Sequence, residues 1–187
     1  RRYGASRLPD GSTVEDWAFG YEELEPYYDR IEHEIGVSGQ AGNVNGEIDH
    51  RGNTFEGQRN RGYPMPPLRW TGFLEKMGDA ARSLNWKPFP GPASINSEFY
   101  QGRSSCQYHG YCNKGGCHVD AKNSTAVTTI PQAEETGRLK VVTHAHATQI
   151  DVDDEGRVTG VTYLRDGEEF FQPAEVVLLA SYTYENV

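Results

Sequence analysis

The sequence predicts a mixed α/β fold of the α+β kind, with helices and irregular chain first and strands last. Three observations carry the prediction. Two stretches of the first half repeat apolar residues at three- and four-residue steps, the period of an amphipathic helix. Between and after them lies chain rich in Gly, Pro and Asn with no period at all. From Leu139 onward, β-branched and polar residues alternate and are interrupted by "DEGR" and "RDGEE", the pattern of strands joined by tight turns.

Taken in order, "LPDGS" reads as a turn. "WAFGYEELEPYYDRIEHEIGVSG", residues 17–39, then reads as helix, with Leu24, Tyr27, Tyr28, Ile31 and Ile35 on one face and the two tyrosines expected to pack. Acidic residues crowd its first turns, where the helix dipole favours them. Gly36 and Gly39 supply the stop. Residues 40–70 show no periodicity and read as a long excursion. "GFLEKMGDAARSLNW" restores helical spacing through Phe73, Leu74, Met77, Ala81 and Leu84. "KPFPGPASIN" carries three prolines in ten residues and must be extended or turning. In "AKNSTAVTTIPQAEETG", Pro131 restricts a short helix to starting near Thr128 to Ile130, and Gly137 ends it. The final run, Val176 to Ala180, is continuously apolar, as expected of a strand buried on both faces.

Composition limits the function. A net charge of -9 over 187 residues argues against tracking nucleic-acid phosphates or an anionic membrane surface. No run of about 18 apolar residues exists to span a bilayer. The beginning has no initiator Met and no apolar signal core, and the final strand stops before its turn develops. The expectation is a piece of a larger protein.

All three cysteines fall in "CQYHGYCNKGGCHVDAK", at C-x5-C-x4-C. An odd number of neighbouring thiols does not make a disulfide framework. Thiolates suit zinc or an iron–sulfur cluster. Zinc needs a fourth ligand, which His109 or His118 could provide beside Cys106, Cys112 and Cys117, though the usual C-x2-C pairs are missing. A three-iron cluster needs only three thiolates on a glycine-punctuated loop. The third reading is three small buried hydrophobes. The remaining histidines, His33, His50, His144 and His146, are scattered, and no G-x-G-x-x-G, Walker A or G-x-S-x-G motif occurs.

Four stretches together resemble the glucose–methanol–choline (GMC) family of FAD-dependent oxidoreductases. "DWAFGYEELEPYYDRIEHEIGVSG" looks like its helix after the flavin-attachment region, and "CQYHGYCNKGGCHVDAKNS" resembles the cysteine loop of its gluconate and sugar dehydrogenases. "GRLKVVTHAHATQIDVDDEGRVTGVTY" and "EVVLLASYTYEN" are similar to its return into the flavin domain. They occur in the family's order and span nearly the whole chain.

The resemblance implies an incomplete GMC-type fold. Residues 1–136 would be part of the substrate domain, and residues 137–187 strands of the FAD-binding Rossmann-like domain. It implies FAD as cofactor, with Ala147, Ala180 and Ser181 at its adenosine end, and Cys106, Cys112 and Cys117 as ligands of a three-iron cluster passing electrons to a cytochrome. His109 stands where some relatives carry another cysteine. The implied reaction is oxidation of an alcohol group of a sugar, sugar acid or polyol, by a dehydrogenase rather than an oxidase. The family's dinucleotide fingerprint and catalytic histidine would lie outside these residues, so the chain alone is expected to be inactive. The rival class is a small zinc-binding interaction module.

Overall fold

Helix α1 spans Tyr21–Ile35, beginning at Tyr21 rather than at Trp17. The computed structural model describes residues 9–13, 17–112, 116–182 and 184. Gly20 sets the later start. It is extended (φ -98°, ψ 173°), and Glu23 reaches back to accept its N–H at 3.2 Å. Pro26 lies inside the helix and cannot donate to the Glu22 carbonyl one turn earlier. Gly36 ends the helix at φ 82°, a conformation that favours glycine, and the N–H groups of Gly36 and Val37 both donate to the Glu32 carbonyl. Gly39, expected as a second stop, instead lies flat against the Tyr63 ring, where a Cβ would sit 2.7 Å from the ring edge.

The packed face of α1 is its polar one. Tyr27 is 70% exposed, and Tyr28 and Ile31 are exposed too, whereas Glu25 is only 5% exposed. The expectation that the tyrosines pack is therefore corrected, because the acidic face has more specific partners. Glu25 accepts the Asn60 backbone N–H at 2.9 Å and the Asn60 side-chain amide. Asp29 takes Arg61 Nε at 2.9 and 2.8 Å on its two oxygens. Glu32 pairs with the guanidinium of Arg59, which is 5% exposed and lies 4.1 Å above the Tyr63 ring. Charge-assisted bonds thus order the segment that showed no periodicity.

Backbone pairing completes the excursion. Ser38 bridges Met65 on one side and Ala93 on the other, with Ser38 and Ala93 exchanging two bonds of 2.9 Å. A two-residue hairpin, β1 (Asn43–Val44) and β2 (Glu47–Ile48), projects from it. The buried apolar side chains among the described residues are Val37, Ala41, Met65 and Ala121, and polar Glu25, Ser38, Arg59, Asn96 and Thr128 are buried as well. Helix α2 (Gly72–Ser83) shows Phe73, Leu74 and Met77 to the outside and buries Gly78 against Trp70. Helix α3 (Thr129–Glu135) starts and stops where Pro131 and Gly137 predict.

The chain divides into two compact units, Arg1–Gly137 and Arg138–Val187. The second is an antiparallel sheet in the order β3 (His146–Val152), β4 (Val158–Arg165), β5 (Glu168–Pro173). In "DEGR", Asp153 closes the turn by accepting the N–H groups of Glu155 (3.0 Å) and Arg157 (2.8 Å) on Oδ1. In "RDGEE", Asp166 and Gly167 both take positive φ, the two-residue turn whose twist suits a hairpin.

Val176–Ala180 departs from expectation. It forms no strand; Val176 is 85% and Leu178 87% exposed. An apolar run becomes a buried strand only when neighbours offer backbone partners and cover both faces, and the described residues offer neither.

Candidate functional site: the cysteine loop

The loop is fixed at its base. Cys106 N–H donates to the Asn96 carbonyl at 2.8 Å, Asn96 N–H to Ala121 at 2.7 Å, and Asn123 N–H to Ser94 at 2.9 Å, with a bridge between Ile95 and Lys122. That base docks on the C-terminus of α1, whose last carbonyls have no helical partner. Tyr100 OH donates to the His33 carbonyl at 2.8 Å, joined by Gln101 Nε2 at 3.1 Å. The Asn123 amide donates to the Gly36 carbonyl and, at 3.0 Å, to Oδ1 of fully buried Asn96. Arg103 donates to Asn123 Oδ1 and to the Ile35 carbonyl at 3.3 Å, setting a positive charge at the helix's negative end. Burial pulls the Arg103 guanidinium below its ordinary value, with Asp120 and Tyr100 opposing it.

Beyond the base, the Cys106 and Cys117 sulfurs each face the N–H groups of their own turn. Cys106 Sγ accepts the Tyr108 N–H at 3.4 Å, and Tyr108 is itself held by the Arg69 N–H on its hydroxyl (2.9 Å) and the Arg69 guanidinium 4.9 Å from its ring. Burial pushes the Cys117 thiol up, but the N–H groups of Lys122, Val119 and Ala121 more than offset it and hold the thiol below the ordinary cysteine value. The carbonyl of Cys112 accepts Lys122 Nζ at 3.4 Å. The His109 and His118 rings meet at a tilt of 39° with centroids 4.5 Å apart, and Nδ1 of His109 accepts the Tyr111 N–H. Residues 113–115 lie outside the described residues.

All three cysteines are free and half-buried. Among the described residues no three His, Cys, Asp or Glu side chains are grouped to hold a metal ion. The donor set has the number and softness that a three-iron cluster needs, but its sulfurs do not converge, and the zinc site with His109 or His118 is not supported either. Asn96, Arg103 and Asn123, which place the loop, were not singled out from sequence; a fully buried asparagine carries no periodic signal.

The positions expected near flavin lie in the second unit. Ala147 is exposed on β3 opposite Tyr163, beside a register irregularity between Ala147 and Gln149. Thr148, at that irregularity, donates its hydroxyl to the Thr162 carbonyl at 3.2 Å. Ala180 and Ser181 are exposed beyond the apolar run. Small side chains at these points leave the backbone open to close approach by a flat ligand. No described helix is long and apolar enough to cross a membrane.

The GMC oxidoreductase family matches residues 90–186, just over half of the chain. The chain belongs to the GMC oxidoreductase family, and its mixed helix-and-sheet architecture agrees with part of that fold. Its relatives include the gluconate 2-dehydrogenase flavoprotein of Pantoea cypripedii, 30% identical over 100% of this chain and 32% of that protein. The paromamine 6'-oxidase of Streptomyces fradiae is 30% identical over 87% of this chain and 27% of its own length. The fructose dehydrogenase large subunit of Gluconobacter japonicus is 28% identical over 79% and 25%. The chain thus spans a third or less of each of these proteins.

Proposed function

We propose that this chain is part of an FAD-dependent oxidoreductase that oxidises an alcohol group of a sugar, sugar acid or polyol. The observation that carries the reading is the alignment of all 187 residues with a protein named as a gluconate 2-dehydrogenase flavoprotein. Two of the relatives named above are dehydrogenases acting on sugars or sugar acids, which favours a dehydrogenase over an oxidase. In the proposed enzyme, residues 1–136 belong to the substrate domain and residues 137–187 to the FAD domain. Bound FAD supplies the hydride acceptor, and Ala147, Ala180 and Ser181 flank its adenosine end, their small side chains admitting the ligand against the backbone.

No residue of this chain is assigned to proton transfer, so the 187 residues alone are expected to be inactive. In a protein of the relatives' length, the exposed apolar faces of α1, α2 and Val176–Ala180 have further polypeptide to pack against. The finer reading, onward transfer to a cytochrome through a three-iron cluster on Cys106, Cys112 and Cys117, is supported by three soft donors on one loop and opposed by their separation. No electron step is assigned to it.

The test is the visible spectrum of the full-length protein under anaerobic conditions. A flavin spectrum that bleaches on adding a sugar, sugar acid or polyol is expected. Absence of flavin, or a flavin that none of these reduces, would overturn the proposal.

A further inference from the structure

The β1–β2 hairpin turns on Asn45 and Gly46, at φ 52° and 85°, the paired positive values of a two-residue turn. Both residues are exposed. Asparagine followed by glycine is also the pairing in which a chain reacts with itself, because no side chain shields the glycine nitrogen from the asparagine amide carbon. Three conditions govern that reaction: a backbone nitrogen without a hydrogen bond, an amide without a partner, and a turn able to rotate.

This turn meets all three. The register pairs Val44 with Glu47, and the Gly46 N–H makes no hydrogen bond among the described residues. Neither does the Asn45 side-chain amide. A Cβ placed on Gly46 would meet only Gln58 Oε1, at 3.7 Å, so the turn is uncrowded. Asn45 is held from its N-terminal side, by its N–H on the Arg59 carbonyl at 2.8 Å, which leaves ψ able to turn the nitrogen onto the amide carbon. With strands of two residues each, that rotation costs little. The other described asparagines fail the conditions. Asn43, Asn53, Asn60, Asn96 and Asn123 have their side chains in hydrogen bonds. The nitrogen that follows Asn85 donates to the Ala81 carbonyl at 3.0 Å, and each of the six is followed by a residue with a side chain.

We infer that Asn45 is a site of intramolecular deamidation, a covalent modification that breaks the β1–β2 turn. The Gly46 nitrogen gives its proton to water and bonds to Cγ of Asn45. The Cγ–Nδ2 bond breaks, and the side-chain nitrogen takes up a proton and leaves as ammonia. Water then opens the five-membered imide. Cleavage between the nitrogen and Cγ gives aspartate; cleavage between the nitrogen and the backbone carbonyl carbon gives isoaspartate, whose main chain runs through Cβ. Water is consumed, ammonia is released, and nothing is oxidised. Isoaspartate adds a methylene to the main chain of the turn and a carboxylate beside Glu47. The pairs Asn43↔Ile48 and Val44↔Glu47 then lose register, and the disturbance reaches buried Arg59, whose backbone bonds to Asn43 and Asn45. The inference does not rest on the proposed flavin chemistry.

The experiment incubates the intact full-length protein at neutral and mildly alkaline pH beside a synthetic peptide of residues 40–51. Peptide mapping by mass spectrometry follows each asparagine, and methyl transfer from S-adenosylmethionine by an isoaspartate methyltransferase counts isoaspartate. Asn45 is expected to react within about tenfold of its rate in the peptide, because a hairpin this short opens readily. The rate is expected to rise with pH, since the deprotonated nitrogen attacks. Hydrogen exchange in residues 43–48 is expected to quicken in the isoaspartate fraction but not in Asn45→Asp, which carries the charge on an ordinary backbone. Protection of Asn45 beyond about tenfold relative to the peptide would overturn the inference. So would equal modification at Asn53 or Asn85, or an isoaspartate fraction whose exchange matches that of Asn45→Asp.

Discussion

The Arg59–Glu32 pair decides whether the aperiodic excursion stays ordered, and its removal has a calculable sign. Arg59 is 5% exposed, and Glu32 is its side-chain partner on α1. The Arg59 backbone also matters: its N–H donates to Asn43 at 2.9 Å and its carbonyl accepts from Asn45 at 2.8 Å. Glu32→Ala removes the hydrogen-bonded counter-charge and leaves a buried guanidinium with the Arg61 carbonyl (3.3 Å), the Tyr63 ring and the attraction of the Glu56 carboxylate to stabilise it. Breaking a buried pair from one side costs about 3–5 kcal/mol. Removing both charges is different. Arg59→Met in the Glu32→Ala background relieves the stranded charge while keeping apolar bulk against Tyr63, so most of the loss is expected to return. Urea denaturation of wild type, both single variants and the double variant measures this as a thermodynamic cycle. A Glu32→Ala loss below about 1 kcal/mol, or a double variant as unstable as the sum of the singles, would refute the reasoning.

Other consequences are as specific. Asn123→Asp replaces the amide that donates to Gly36 and Asn96 with an acceptor facing two acceptors; a loss of about 1–3 kcal/mol is expected, with faster hydrogen exchange in residues 94–106. Gly78→Ala, which in an ordinary helix stabilises, would drive a Cβ into the Trp70 ring and lower the melting temperature, a cost of about 1–3 kcal/mol. Alkylation of Cys117, followed against pH by mass spectrometry, is expected to have a lower midpoint in the folded protein than in the same protein unfolded in urea. The hydrogen bond from Arg61 holds the Asp29 carboxyl below its ordinary value. Its contribution is therefore present above the unfolded value of about 3.9 and lost as pH falls through the folded one. Wild type should lose more stability than Asp29→Asn when urea midpoints at neutral pH are compared with those in acid.

What was legible in the sequence was local. The two turns of the β3–β4–β5 sheet, the start of α3 two residues before Pro131 and the stop of α1 at Gly36 are set by φ requirements that a few residues meet alone. The gathering of cysteines on one loop was likewise plain, because it is a fact of spacing. Which face of α1 would be buried was not. Periodicity locates an apolar stripe, but Glu25, Asp29 and Glu32 turned the acidic face inward because Asn60, Arg61 and Arg59 came to meet it from some thirty positions away. Val176–Ala180 shows the same limit, since apolar composition cannot furnish the neighbouring strands that would bury it. The cysteine loop shows it at the site itself. Sequence determined which three thiols share a loop, and only the tertiary structure decided where they point. Backbone N–H groups draw Cys106 and Cys117 to their own turns, and the Asn96–Arg103–Asn123 clamp fixes the base without bringing the sulfurs to one centre.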